Sequence, residues 1–95
     1  MPGDMSPDSA KAEAAVARLE RARWRSRRGL LELELLLKPF VDGGFESLSE
    51  SGKADYERLL ECDDMDVHEW ILGRVEPPES FISIIREIRR FLKLA

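Results

Sequence analysis

The side chains most able to do chemistry on their own are one histidine and one cysteine. His68 follows Cys62 by six residues, and the sequence contains no second copy of either residue type. This spacing matches none of the common zinc patterns, which place ligands in closely spaced pairs. We therefore interpret His68 as a surface residue of a helix. Cys62 is interpreted as a small residue at a helix end rather than as a nucleophile.

Four carboxylates surround this cysteine: Glu61, Asp63, Asp64 and Asp66. Such a cluster could hold a cation, but it lacks the spaced ligands and central glycine of a calcium loop. Aspartates also suit the first turn of a helix, where the helix dipole favours negative charge, so capping is the favoured interpretation. A glycine-rich phosphate loop and a Ser/His/Asp set are missing as well. We predict no catalytic, metal-binding or cofactor-binding residues, and a protein that is not an enzyme.

The segment Arg28-Gly29-Leu30-Leu31-Glu32 suggests recognition rather than catalysis. If it begins a helix, Arg28 and Glu32 lie one turn apart on the same surface. Gly29 beside them has no side chain, so another backbone could approach closely. From the residues alone, an ordinary surface ion pair next to a helix-start glycine explains the segment equally well.

An arginine-rich run leads into this segment, with members at positions 18, 21, 23, 25, 27 and 28. It could be a solvated helix face. It could also be a docking surface, because Trp24 lies within it and Trp and Arg are common interface hot spots. Nucleic-acid binding is the least favoured interpretation, since the run lacks further stacking aromatics.

Charge is distributed unevenly along the 95 residues, whose net charge is −4. Residues 11–38 carry +4, residues 39–79 carry −9 and residues 80–95 carry +3. The overall acidity argues against general affinity for nucleic acid. No apolar run approaches the roughly 20 residues that span a bilayer, and a signal-peptide core is missing. We expect a cytoplasmic protein without membrane insertion, and a monomer.

Five helical segments must position these residues. Residues 1–8 read as a flexible leader, and residues 9–95 as one domain that folds as an all-α, compact bundle of five short helices. The first helix starts after a cap at Asp8 or Ser9, and the second runs from Arg28 to about Asp42. The third follows a cap at Ser47 or Ser49, and the fourth has aspartates at its start and Gly73 at its end. The fifth starts at Pro77-Pro78-Glu79, with a proline in its first turn.

Apolar residues that recur at helical spacing indicate which positions form the core. The LELEL alternation at residues 31–35 covers only five residues, so it is interpreted as part of a helix. The predicted core residues are Ala12, Val16, Leu19, Leu30, Leu33, Leu36, Leu37, Phe40 or Val41, Ala54, Tyr56, Leu59, Leu60, Val67, Trp70, Ile71, Phe81, Ile84, Ile85, Ile88 and Leu92, with Trp24 as a further candidate in the first helix.

Over about residues 20–75 the sequence resembles the SdhE-like family of small flavinylation assembly factors. The family hallmark Arg-Gly-x-x-Glu is matched by Arg28, Gly29 and Glu32. Further matches lie at Trp24 with Arg27-Arg28, Pro39-Phe40, Ser47-Leu48-Ser49, residues 58–64 (RLLECDD), Asp66 and Trp70. The chain departs from the family at Glu34, which is usually aspartate, and at Gly52, which is usually an acidic capping residue.

This resemblance implies a five-helix assembly factor that binds the flavoprotein subunit of succinate dehydrogenase and promotes its covalent FAD attachment. It places Arg28, Gly29 and Glu32 on the docking surface, with Trp24 and Arg27 as further candidates. FAD belongs to the client flavoprotein and is not bound stably by the factor. Fumarate reductase remains open as a further client. The alternative is an antitoxin-like protein interaction module, because some relatives carry that label.

Overall fold

The computed structural model describes residues 7–94, which form five α-helices and no strand. The helices are α1 (Pro7–Arg25), α2 (Leu31–Gly43), α3 (Glu50–Leu59), α4 (Asp64–Ile71) and α5 (Ile82–Phe91). Two short 3₁₀ turns, Phe45–Ser47 and Glu79–Phe81, precede α3 and α5. The prediction of an all-α bundle of five helices is confirmed.

Helix α1 differs from its prediction at both its start and its buried face. It begins at Pro7, two residues before Ser9, and residues 1–6 of the predicted leader lie outside the described residues. Residues 11–17 are all exposed, including Val16 at 57%. The expected core positions Ala12 and Val16 are therefore wrong, because only the C-terminal half of α1 buries side chains against the bundle.

Helix α2 begins at Leu31 rather than at Arg28. Leu30 is its N-cap and has an extended backbone, so the three residues before the helix form a connection. The helix then continues through Pro39 to Gly43. The LELEL alternation is helical as predicted, with Leu33 and Leu37 fully buried.

The starts and ends of α3 and α4 follow the predicted capping chemistry. Ser49, rather than Ser47, caps α3 by accepting a hydrogen bond from the Gly52 N–H at 3.1 Å. Asp63 caps α4 by accepting from the Met65 N–H at 3.0 Å. Gly73 follows α4 with a φ of 77°, a left-handed conformation that glycine adopts without strain.

A continuous apolar core joins all five helices. Tyr56 lies at its centre, with the rings of Phe40 and Phe45 5.4 and 5.7 Å from its own. Helix α5 begins at Ile82 rather than at Pro77, because residues 79–81 form a 3₁₀ turn before it. Its residues Ile84, Ile85 and Ile88 are buried as predicted, and Phe81 and Leu92 pack partly buried against the core. Ala54 is exposed, so its predicted place in the core is wrong.

Candidate protein-docking surface

The Arg28 side chain is a clamp inside the fold rather than an exposed recognition group. Its guanidinium donates to the Asp64 carboxylate at 2.9 Å, to the Leu60 carbonyl at 2.9 Å and to the Arg25 carbonyl at 2.6 Å. Only 13% of the side chain is exposed. Arginine suits this position because its planar fork can donate in several fixed directions at once. The clamp thereby joins the end of α1 to the α3–α4 junction.

The predicted pairing of Arg28 with Glu32 does not form. Arg28 lies before α2 begins, so the two residues are not one helical turn apart, and Arg28 pairs with Asp64 instead. The role of Asp64 is not visible in the sequence, because its only local signal is membership of an acidic cluster. Asp63 performs the capping predicted for that cluster, while the neighbouring Asp64 forms the long-range contact.

Backbone hydrogen bonds fix the connection between α1 and α2 from both sides. The Arg28 N–H donates to the Glu34 carboxylate at 2.7 Å, and the Leu30 N–H points to Asp64 at 3.4 Å. Together with the guanidinium bonds, these contacts hold residues 28–30 in one conformation before any partner arrives. A fixed loop binds with less loss of conformational entropy than a mobile one.

Gly29 is exposed at the centre of this connection, and the fold itself does not require a glycine there. A Cβ built on Gly29 meets no atom within 4 Å. The residue is also outside the left-handed region, which among the described glycines only Gly73 adopts. The space above Gly29 is therefore open to the backbone of another molecule.

Glu32 lies on the exposed side of the first turn of α2, and its carboxylate has no ion pair or hydrogen bond within residues 7–94. Leu31 and Leu35, one turn apart on the same helix, are 60% and 62% exposed. Exposed leucines beside a free carboxylate are typical of a surface that a partner covers. The strand-like alternation concealed this feature, since it does not show which leucines face outwards.

Trp24 lies in the last turn of α1, on its exposed side rather than in the core, and Arg27 follows the helix by two residues. The Trp24 ring is 69% exposed, and the Arg27 guanidinium lies 4.8 Å from the ring centroid in a cation–π contact. Both residues line a groove of about 390 Å³ between α1 and α2, together with Glu34 and Lys38. These residues are candidates for contact with a partner, and we use the name docking surface for this candidate set: Trp24, Arg27, Gly29, Leu31, Glu32 and Leu35.

Comparison with known proteins shows which family the chain belongs to. Residues 20–92 match the family described as "Flavinator of succinate dehydrogenase". The chain belongs to this SdhE-like family. Similar curated proteins share the name FAD assembly factor SdhE. The protein of Idiomarina loihiensis is 46% identical over 63 residues, covering 66% of this chain and 70% of its own. That of Pseudomonas aeruginosa is 38% identical over 76 residues, covering 80% and 83%.

The SdhE-like match extends beyond the segment on which the resemblance was based. It reaches residue 92 and so includes α5, whereas the motifs ended near residue 75. A third relative, from Coxiella burnetii, is 40% identical over 72 residues, covering 75% of this chain and 88% of its own. Residues 1–19 lie outside the family match.

In this SdhE-like chain the departure at Glu34 is structurally conservative. Glutamate is one methylene longer than aspartate, and its carboxylate reaches back six residues to the Arg28 N–H. The Gly52 N–H still donates to the Ser49 hydroxyl that caps α3, although glycine has no side chain to accept a hydrogen bond in return. Neither departure removes a contact that holds residues 28–30.

His68 and Cys62 lie apart from the docking surface. His68 is partly buried in α4, with 15% of its side chain exposed, so its interpretation as a surface residue is wrong. Burial, followed by the nearby Asp66 and Glu61, raises the pKa of the Cys62 thiol, which disfavours the reactive thiolate. Among the described residues no group of three or more His, Cys, Asp or Glu side chains could hold a metal ion. No helix in that range is long and apolar enough to cross a membrane.

Proposed function

We propose that this protein is a cytoplasmic assembly factor that binds the flavoprotein subunit of succinate dehydrogenase and promotes the covalent attachment of its FAD. The protein performs no chemistry in this role, and FAD stays with the flavoprotein. Family membership and the shared name of the relatives support this proposal. The antitoxin-like alternative has no observation in its favour.

The open space at Gly29 is the observation that carries the assignment of the surface. A glycine that the fold does not need is best explained by a partner that comes close to it. Around Gly29, the Arg28–Asp64 clamp and the Glu34 contact fix the backbone. Glu32 then supplies a carboxylate for a hydrogen-bond donor of the partner. Arg28 thus acts as a positioning residue, and Gly29 and Glu32 as contact residues.

Replacing Gly29 by arginine tests the proposal in a strain that lacks the gene. We expect Gly29→Arg to reduce covalent FAD on the succinate dehydrogenase flavoprotein about ten-fold or more, because the new side chain fills the space a partner needs. The measurement is in-gel fluorescence of the denatured flavoprotein. Far-UV circular dichroism should be unchanged, since an added Cβ meets no neighbour.

The matched control is Ala54→Arg, which adds the same side chain at an exposed position of α3. This variant should restore flavinylation as well as the native protein does. Normal FAD fluorescence in the deletion strain would contradict the function itself. Full activity of a folded Gly29→Arg variant would contradict only the assignment of the docking surface.

A further inference from the structure

A second concave surface lies at the other end of α4. It is a groove of about 740 Å³ between the C-terminal end of α4, the connection after Gly73, and α5. We call it the α4–α5 groove; its principal lining residues are Trp70, Arg74, Ile82, Ile85, Arg86 and Arg90. The Arg28–Asp64 clamp contacts the N-terminal end of α4, so the two surfaces are separate.

The floor of the α4–α5 groove is apolar. Trp70 and Ile85 are buried beneath it, and Ile82 and Leu94 are partly buried along its length. Val75 stands at the rim and is 50% exposed. A floor of this kind accommodates one or two aliphatic or aromatic side chains of a partner.

The walls are fixed by the ends of two helices. After α4, the Arg74 N–H donates to the Glu69 carbonyl at 3.0 Å, beside the left-handed Gly73. After α5, the Leu94 N–H donates to the Arg89 carbonyl at 2.9 Å, beside the left-handed Lys93. Both bonds run from the third residue after the helix back into its last turn, which is the Schellman pattern. The groove is therefore present before a ligand arrives.

Arginines dominate the rim, and Glu76 is the one carboxylate among the lining residues. Arg89 is engaged within the fold, where its guanidinium donates to the Ile71 carbonyl. Arg74 and Arg90 form exposed pairs with Glu69 and Glu87, which contribute little and can be exchanged for a partner's carboxylate. Arg86 is exposed and has no ion pair within residues 7–94. Three exposed guanidinium groups thus surround an apolar floor.

We propose that the α4–α5 groove binds an acidic peptide segment of a partner protein, in which carboxylates flank an aliphatic or aromatic side chain. The carboxylates meet Arg74, Arg86 and Arg90, and the apolar side chain covers the floor above Trp70 and Ile85. Arginine clusters are a common means of recognising acidic motifs. A flat anionic membrane surface or a nucleic acid fits less well, because neither presents an aliphatic or aromatic side chain between its anionic groups to cover the apolar floor.

Peptide titration followed by NMR tests this proposal with the full chain. The probe is a capped peptide, Glu-Glu-Leu-Phe-Glu-Asp-Leu-Glu, added to ¹⁵N-labelled protein. We expect the largest shifts at the Trp70 indole N–H, at the backbone of residues 73–76 and in α5. Two control peptides should each bind at least about ten-fold more weakly. One has lysine in place of every acidic residue, and the other has serine in place of Leu and Phe.

A pair of double variants separates the groove from general charge attraction. Arg74→Glu with Arg86→Glu should weaken peptide binding about ten-fold or more. Lys11→Glu with Arg21→Glu makes the same change in net charge on exposed positions of α1 and should change binding less than about two-fold. All four positions are exposed, so both proteins should keep the native circular dichroism spectrum.

Three results would overturn the proposal. The first is that the acidic peptide causes no shifts at millimolar concentration, or causes them outside the groove. The second is that both double variants weaken binding equally. The third is that vesicles of phosphatidylglycerol and phosphatidylcholine bind through Arg74 and Arg86 while the peptide does not.

Discussion

Glu32 and Glu34 lie two residues apart on α2, yet their carboxylates have different surroundings. Glu34 is partly buried and accepts the Arg28 N–H at 2.7 Å, which fixes the connection before the helix. Glu32 is exposed and has no hydrogen-bond or ion-pair partner in the described part of the chain. The fold thus depends on Glu34, and Glu32 is available to a partner.

Alanine at each position should separate these roles. We expect Glu34→Ala to lower the free energy of unfolding by about 1–2 kcal/mol, because a backbone N–H loses its charged acceptor. Glu32→Ala should change it by less than about 0.5 kcal/mol, as is usual for exposed positions. Flavinylation in the deletion strain should nevertheless fall further for Glu32→Ala. Urea unfolding and in-gel FAD fluorescence measure the two effects, and a strongly destabilised Glu32→Ala would refute the distinction.

How far the candidate site can be predicted differs from residue to residue. The docking role of Gly29 and Glu32 was implied by the resemblance to the SdhE-like family rather than by their spacing, and the exposure of both residues agrees with it. Arg28 was expected on the same surface, but its contacts with Leu60 and Asp64 span more than thirty residues of sequence. Helical periodicity describes only neighbours within a few turns, so it cannot reveal such contacts.

At the scale of the elements, a buried polar link joins α1 to α3. The Ser26 hydroxyl donates to the Ala22 carbonyl at 2.7 Å, and the Tyr56 hydroxyl lies 2.6 Å from the Ser26 oxygen. A serine hydroxyl has one hydrogen, so Tyr56 is the donor in the second bond. Burial raises the pKa of Tyr56 to about 12, which keeps this donor protonated at physiological pH.

Removing the Ser26 hydroxyl should lower the free energy of unfolding more than removing the Tyr56 hydroxyl. Ser26→Ala leaves the buried Tyr56 hydroxyl without its acceptor, and we expect a loss of about 1–3 kcal/mol in unfolding free energy. Tyr56→Phe leaves Ser26 bonded to Ala22 and should be milder, at about 1 kcal/mol. Thermal and urea unfolding of the two variants provide the comparison. Equal losses, or a larger loss for Tyr56→Phe, would show that the hydroxyl pair is not the source of stability.

Sequence patterns predicted some elements better than others for a physical reason. Helix α5 has its apolar side chains on one face and packs against the core along its whole length, so periodicity alone selects Ile84, Ile85 and Ile88. Helix α1 shows the same kind of periodicity, but no core lies beside residues 11–17. Periodicity identifies the face that could be buried; it does not show whether a neighbouring element is there to bury it.

At the scale of the whole molecule, charges that are separated in sequence meet in space. The positive segment 11–38 pairs with the negative segment 39–79 through four arginines that contact carboxylates of α2, α3, α4 and the α3–α4 connection. They are Arg18, Arg23, Arg25 and Arg28. Much of the arginine run is therefore used inside the molecule, leaving Trp24 and Arg27 as its part of the docking surface.

A partly buried charge network attaches α1 to α3. The Arg18 guanidinium donates to both carboxylate oxygens of Glu57, at 2.8 and 3.0 Å, and to Glu50 at 2.8 Å. The hydrogen bond from Arg18 lowers the pKa of Glu57 below its ordinary value of 4.5. A lowered folded-state pKa means that the stabilisation is present above that ordinary value and is lost as the pH falls through the folded-state pKa.

Arg18→Gln should therefore destabilise the protein in a pH-dependent way. Near neutral pH we expect a loss of about 0.5–1 kcal/mol in unfolding free energy, the range for a bidentate pair close to the surface. The difference from the native protein should shrink once the pH is well below 4.5, because protonated Glu57 no longer pairs with Arg18. Lys11→Gln, at an exposed lysine of α1 without an ion pair in residues 7–94, is the control and should have little effect at either pH. Urea unfolding at the two pH values measures the free energy of unfolding of both variants. If the loss for Arg18→Gln is the same at both pH values, α1 is attached to α3 by packing rather than by this charge network.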